Sequence, residues 1–201
     1  MNPKKIIIIL GITILIIGIT IFFIWNYKIG KNGNTMINKS EEEIVETILT
    51  MKSYRATLNI TVETNKNKTQ YTVKQNLENG KAKQEVIEPE NIAGVITEYD
   101  GEKITIKNNK LNLETTFQNY QYIVENGLWL DSFIETYQKS GSTTRNETEI
   151  ILETKKEDNP YQTYQALYID KKTGKPTKMI VKDINQKTLV YILYTEITIS
   201  K

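Results

Sequence analysis

From residue 53 to residue 200 the chain repeatedly alternates apolar and polar side chains, and the alternation breaks at turn residues. The clearest stretch is "YRATLNITVET", where Tyr54, Ala56, Leu58, Ile60 and Val62 alternate with Arg55, Thr57, Asn59, Thr61 and Glu63. A period of two predicts a strand with one buried face. "NKNK" at 65–68 turns the chain into a second strand marked by Tyr71, Val73 and Leu77. Asn79-Gly80 then signals a two-residue hairpin, because both positions accept positive φ. Strands are predicted next over 82–88, 95–99, 104–106 and 111–113, with a hairpin at Asp100-Gly101 and a break at Pro89. Four more follow, over 149–154, 164–170, 179–184 and 189–199. In the last of these, Leu189, Tyr191, Leu193, Thr195, Ile197 and Ile199 are expected to share one face.

Two segments carry a helical period instead. Ser40-Glu41-Glu42-Glu43 has the form of a capping box, and Ile44, Val45, Ile48 and Leu49 form one face of a helix predicted over 41–52. The glutamate triplet suits the positive end of the helix dipole, which explains it better than a metal site does. "GLWLDSFIETYQKS" places Trp129, Phe133 and Tyr137 four residues apart and predicts a second helix, ending near Ser140-Gly141. Strands in hairpin order with two amphipathic helices define a mainly β, α+β fold. The expectation is an antiparallel curved sheet, a half-open barrel wrapping around its helices. Its cavity would either be filled by those helices or admit an acyl chain, with Trp129, Phe133 and Tyr137 as a candidate lid; a stripe at this spacing also suits plain core.

The segment "LYIDKKTGKPTKMIVKD" tests this reading, because its glycine and lysines suggest a phosphate loop. A phosphate loop needs an earlier glycine and a Ser or Thr directly after the lysine. Position 169 is Ile and position 176 is Pro, so the segment is a turn between strands, with Gly174 supplying positive φ.

The amino terminus departs from all of this. Ile6 to Trp25 is an uncharged apolar run of the length that spans a bilayer as helix. Lys4 and Lys5 precede it, and Trp25, Tyr27 and Lys28 sit where interfacial anchors belong. Phe22, Phe23, Ile24 and Trp25 occupy the place where a cleaved signal would carry small residues, so an uncleaved anchor is expected. The expected organisation is an anchor over 1–28, a polar linker over 29–39, and a single extracytoplasmic domain over 40–201.

Composition narrows the chemistry. The 201 residues carry 26 basic and 24 acidic side chains, a net charge of +2, so no broad field attracts nucleic acid. The chain has no His and no Cys. That excludes a Ser-His-Asp triad, a Cys nucleophile, disulfides and zinc sites built from imidazole or thiolate. No cofactor or metal site is predicted. A glycan-cleaving pair of carboxylates needs only to meet in space and leaves no spacing to read.

Helix, then "YRATLNITVET", "KAKQEVIEP", "YDGEKITI" and "LYIDKKTGKPTKMIVKD", in that order, resemble the LolA-like lipoprotein-sorting superfamily across residues 40 to 200. Within it the chain is most similar to the clostridial germination lipoproteins of the GerS type. The resemblance implies a sheet enclosing helices, no catalytic residues, and an extracytoplasmic place in the spore or forespore envelope. It also implies a partner, an N-acetylmuramoyl-alanine amidase that modifies cortex peptidoglycan. The lipidated cysteine of that branch has no counterpart here, so the anchor is expected to be the helix itself. The functional expectation is a membrane-anchored, non-catalytic adaptor that supports such an amidase; the alternative is a carrier or sensor of acyl lipids or lipoproteins. The long C-terminal edge strand also allows a dimer by strand exchange.

Overall fold

The hairpin signals produce two meanders that meet in the middle of one sheet. The computed structural model describes residues 39–118, 128–156, 160 and 162–200. The expected anchor, with Ile6 and Trp25, lies outside the described residues. Among the described residues no helix is long and apolar enough to cross a membrane.

The first meander comprises β1 (Ser53–Glu63), β2 (Lys68–Glu78), β3 (Lys81–Glu88), β4 (Val95–Tyr99), β5 (Lys103–Asn108) and β6 (Leu113–Gln118). The second comprises β7 (Ser142–Arg145), β8 (Glu149–Lys155), β9 (Tyr164–Asp170), β10 (Lys175–Lys182) and β11 (Thr188–Ser200). Helix α1 (Glu41–Leu49) precedes them, and α2 (Leu130–Ser140) lies between β6 and β7 in the chain. All eleven strands form one sheet in the order β6-β5-β4-β3-β2-β1-β11-β10-β9-β8-β7. Antiparallel pairing of β1 with β11 joins the two meanders.

The turns form where the sequence predicts them. Asn79 and Gly80 have φ of 53° and 75°, and Gly174 has φ of 63°. Asp170 organises the β9–β10 turn: its Oδ1 accepts from the Thr173 backbone N–H at 2.8 Å, and its carbonyl accepts from Gly174 N–H at 2.8 Å. Pro176 sits in β10 opposite Ile169, next to a register shift before Lys178. A residue without an N–H disturbs the ladder there, as expected.

The C-terminal strand β11 is not the edge strand expected from the sequence, because it lies between β1 and β10, paired on both sides. Four further details differ from expectation. The sheet is open rather than a half-open barrel, with β6 and β7 as its edges. Both edge strands are short: β7 ("STTR") is wholly polar, and β6 ("LETTFQ") carries only Leu113 and Phe117 as apolar side chains, both exposed. β7 had no sequence signal because none of its residues is apolar. Residues 111 and 112 belong to a turn, with Asn112 at φ 51°, and β6 begins at Leu113. Helix α1 stops at Leu49: Thr50 leaves helical geometry at φ −107° and ψ 10°, and the next N–H, of Met51, bonds three residues back to the Ile48 carbonyl instead of four.

The fourth of these details reverses a face. Thr57 pairs with Glu196 but Leu58 pairs with Tyr194, so Thr195 is an extra residue in β11. Such a bulge shifts the alternation by one. Upstream of it Ile192 and Tyr194 are buried and Leu193 is exposed; downstream Ile197 is buried. Tyr191 and Leu193 therefore point away from the core, and Leu189 is itself an extra residue at a second register shift, between Val181 and Lys182. The Thr195 hydroxyl fixes the bulge by donating to the Thr57 carbonyl at 3.0 Å.

The core lies between the helices and one face of the sheet, here the inner face. It includes Tyr54, Leu58, Ile150, Leu152, Leu167, Ile169, Met179 and Ile192 from strands, and Ile44, Ile48, Leu130 and Phe133 from helices. Burying each large side chain contributes about 1.5–3 kcal/mol. The capping box of α1 is complete: Ser40 Oγ accepts from Glu43 N–H at 3.2 Å, and Glu43 Oε2 accepts from Ser40 N–H at 2.8 Å. Glu41 then pairs with Arg145 at 3.0 Å and Lys171 at 2.7 Å, tying the helix start to the β7–β8 and β9–β10 ends.

Candidate partner-binding face

The helical aromatic stripe faces the sheet. Trp129 is 3% exposed and Phe133 is fully buried. Trp129 meets the Tyr54 ring edge-on at 6.4 Å between centroids, and Phe133 stacks on Tyr137 at 6.2 Å. Tyr137 is half-buried, and its hydroxyl shares a 2.5 Å hydrogen bond with Thr143 of β7. The structure thus gathers all three candidate lid residues on one helix face, with two of them inside the core.

A polar cluster lies beneath the start of α2. The Tyr54 hydroxyl donates to Gln75 Oε1 at 2.9 Å and accepts from Leu130 N–H at 3.5 Å. Gln75 Nε2 in turn donates to Gln84 Oε1 at 2.9 Å. Burial pushes the Tyr54 and Tyr194 hydroxyls well up from the ordinary tyrosine range, and the nearby Asp131 carboxylate pushes both further. Burial also raises Asp131, against a backbone hydrogen bond from Ser132 that lowers it. Asp131 Oδ1 and the Tyr194 hydroxyl are buried without a hydrogen-bond partner among the described residues. Ring contacts and hydrogen bonds hold this cluster in place as part of the interior.

The opposite, outer face of the second meander has a different character. The alternation that buries Leu152, Leu167, Val181 and Ile192 turns Ile151, Tyr168, Ile180, Tyr191 and Leu193 outward. Register places them side by side. Tyr168 lies opposite Ile151, Ile180 opposite Tyr191, and Leu193 opposite Lys178. Lys178 sits 4.1 Å above the Tyr168 ring and reaches Glu149 at 3.4 Å, so the stripe has a pinned cation at its centre. Both helices pack on the other face. Strands that are apolar on both faces usually have both faces covered.

Beyond the stripe the outer face becomes polar and hollow. A groove of about 400 Å³ runs across β11, β1, β2 and β3, bordered by Arg55, Lys74, Asn76, Lys83, Glu85 and Glu196. A second of about 670 Å³ continues over β3 to β6, where Glu98 joins Lys83 at 3.1 Å and Lys107 at 2.8 Å. Those hydrogen bonds, first from Lys107 and then from Lys83, hold the Glu98 carboxyl below its usual range. Among the described residues no group of three or more Asp, Glu, His or Cys is placed to hold a metal ion.

Sequence reading missed the stripe because it expected Leu189, Tyr191 and Leu193 to share one face with Ile197 and Ile199, which the bulge at Thr195 prevents. Its signal was present: "LVYILY" and "EIIL" are apolar at both parities, which a strand with one open face does not need. It passed over the groove too, although Arg55 is one of only two arginines in the chain.

These features define a class: an α+β domain whose single large antiparallel sheet buries one face under two helices and presents a two-part surface on the other. Within that class the assignment is specific. The family model for sporulation protein YdcC-like matches residues 4–201, and the chain belongs to that family. A comparison with curated proteins returns no match. Among solved structures, the chain is similar to a conserved protein from Thermus thermophilus at 12% identity, covering 81% of this chain and 89% of that one, with a TM-score of 0.49. It is similar to a chain of the Clostridioides difficile CwlD amidase–GerS lipoprotein complex at 26% identity, covering 83% and 96%, with a TM-score of 0.46. A LolA superfamily protein from Nitrosomonas europaea is similar at 10% identity, covering 81% and 94%, with a TM-score of 0.40.

Proposed function

We propose that this chain is a membrane-anchored, non-catalytic adaptor of the sporulation envelope, whose domain binds and supports a cell-wall amidase of the spore cortex. The observation that carries the reading is the outward stripe from Ile151 to Leu193 on strands that are already covered on their inner face. A flat row of Tyr, Ile and Leu around one pinned lysine has the composition of a protein interface core, where aromatic side chains are enriched. Membership of a sporulation family supports the setting. The resemblance to GerS-type proteins in the order of sequence elements supports the choice of an amidase, and the apolar run from Ile6 to Trp25 supports the anchor.

The test is affinity capture with the tagged full-length chain from sporulating cells in mild detergent, followed by mass spectrometry of retained protein and lipid. Stoichiometric recovery of an N-acetylmuramoyl-alanine amidase, lost with Tyr191→Asp, supports the adaptor. Stoichiometric acyl lipid or lipoprotein without an amidase overturns it in favour of a carrier.

A further inference from the structure

We propose that the β6 edge of the sheet is a pairing surface for a second copy of this chain, with the two β6 strands antiparallel about a two-fold axis at Thr115. The inference goes beyond the adaptor reading and does not depend on what the outer stripe binds.

Among the described strands β6 pairs only with β5, so one side of its backbone meets no described strand. Its register with β5 runs unbroken from Lys103 opposite Gln118 to Asn108 opposite Leu113. Sheet edges are commonly protected by lysine, proline or a bulge. β6 has none of the three, and all six of its residues are exposed. Six large apolar side chains are exposed among the described residues, and four of them, Ile106, Leu111, Leu113 and Phe117, belong to the β5–β6 hairpin. Register puts Leu113, Thr115 and Phe117 on the same face as Ile104 and Ile106, and Ile104 is buried, so this is the inner face. An open backbone edge with an apolar row beside it is a template for adding a strand.

Register singles out a second copy as that strand. A two-fold axis normal to the sheet keeps inner face beside inner face, so it must fall between two copies of the same residue. Centred on Thr115, the pairing sets Leu113 opposite Phe117 of the second copy, and Phe117 opposite its Leu113, around a central pair of threonines. Each Glu114 then stands opposite Thr116 of the second copy, with Lys107 of its own chain on its other side. Directly opposed apolar or threonine pairs are favourable, and opposed like charges are not. A centre at Glu114 sets two glutamates against each other. A centre at Thr116 carries Leu113 past the end of the other β6. Only the Thr115 register suits both faces.

The opposite edge makes the contrast plain. β7 has four residues and no apolar side chain. Thr143 is bonded to the Tyr137 hydroxyl, Thr144 donates to Glu153 at 2.9 Å, and Arg145 reaches Glu41 at 3.0 Å, so its side chains are engaged within the chain. The outer stripe is not in competition for the β6 edge. Six strand spacings separate β6 from β11, about 29 Å, so a dimer leaves both stripes uncovered. Two edges of six residues make a small interface of the weak class, and the test therefore traps it covalently.

The absence of cysteine makes that test direct. The full-length chain in mild detergent carries one cysteine at a time, as Thr115→Cys, Glu114→Cys or Thr144→Cys, and is oxidised gently with copper phenanthroline. Disulfides form where Cβ atoms lie about 4 Å apart, which suits a residue on the two-fold axis. The expected result is a covalent dimer of Thr115→Cys forming about tenfold faster than that of Thr144→Cys or Glu114→Cys. Adding Leu113→Glu should slow Thr115→Cys to the Thr144→Cys rate with an unchanged unfolding midpoint, because Leu113 is exposed in the single chain. Equal rates at positions 115 and 144 would mean collision, or association through the amino-terminal segment, and would overturn the inference. A faster Glu114→Cys, or a Thr115→Cys rate indifferent to Leu113→Glu, would overturn it too.

Discussion

Ile192 and Leu193 are neighbours on β11 with similar side chains and opposite surroundings. Ile192 is fully buried against the helices' side of the sheet, and Leu193 is 38% exposed on the other. The two faces have the same strands, register and backbone hydrogen bonds. Only the inner face has its cover within the described residues. The difference teaches that apolarity has two uses here: the inner row holds the fold together, and the outer row is available to something else.

Mutation separates the two uses, and the largest effect belongs to the inner face. Phe133→Ala should cost about 3–5 kcal/mol, because a fully buried ring leaves a cavity under the sheet. Denaturant unfolding measures it, and a cost below about 1 kcal/mol would mean that the inner face is not a tight core. Gly141→Ala should cost about 1–3 kcal/mol, since a Cβ there would lie 2.5 Å from the Tyr137 carbonyl oxygen. An unchanged midpoint would show that the end of α2 is loosely held. Ser40→Ala should cost about 1 kcal/mol by opening the cap of α1.

A pH series sharpens the comparison by sign. Burial raises the Asp131 carboxyl above its ordinary 3.8, so the folded protein holds a proton that the unfolded chain releases. Stability from this group falls as pH rises through the carboxylate range, and Asp131→Asn should remove the fall. The variant's advantage over the parent should therefore widen from acid towards neutral pH. On the outer face the sign is opposite: the lowered Glu98 contributes stability that is lost as pH falls. Parallel curves for Asp131→Asn and the parent would place Asp131 in water. The smallest effect on stability is expected from Leu193→Ser, within about 0.5 kcal/mol. The same change should reduce amidase recovery on capture, and undiminished recovery would leave the stripe without a role.

The sequence made some of this comparison legible and hid the rest for a local reason. β1 was readable residue by residue, because its apolar positions have a single parity and Arg55, Asn59 and Glu63 mark the other. Asn79-Gly80 and Gly174 were readable because positive φ restricts the residues that can stand there. In β11 both parities of "LVYILY" are apolar, so alternation alone could not decide which row faces inward. The bulge at Thr195 decided it, and a bulge fixed by pairing with Thr57 has no signature within its own strand. β7 was silent because four polar residues at an edge bury too little to leave a pattern. The groove depends on β11, β1, β2 and β3 lying side by side, and only the long-range β1–β11 pairing brings them together.

That pairing also governs the order of events when the protein is made. The strand that emerges first, β1, waits for one of its two neighbours until the last strand, β11, has been synthesised. The hairpins from β1 to β6 are able to form as they appear, whereas the join between the meanders closes a loop of more than a hundred residues. A partly synthesised chain therefore carries two incomplete sheets, each with an unsatisfied inner edge. Such late closure keeps the two halves of the sheet unlocked from each other, and folding is completed only after the final strand has been made.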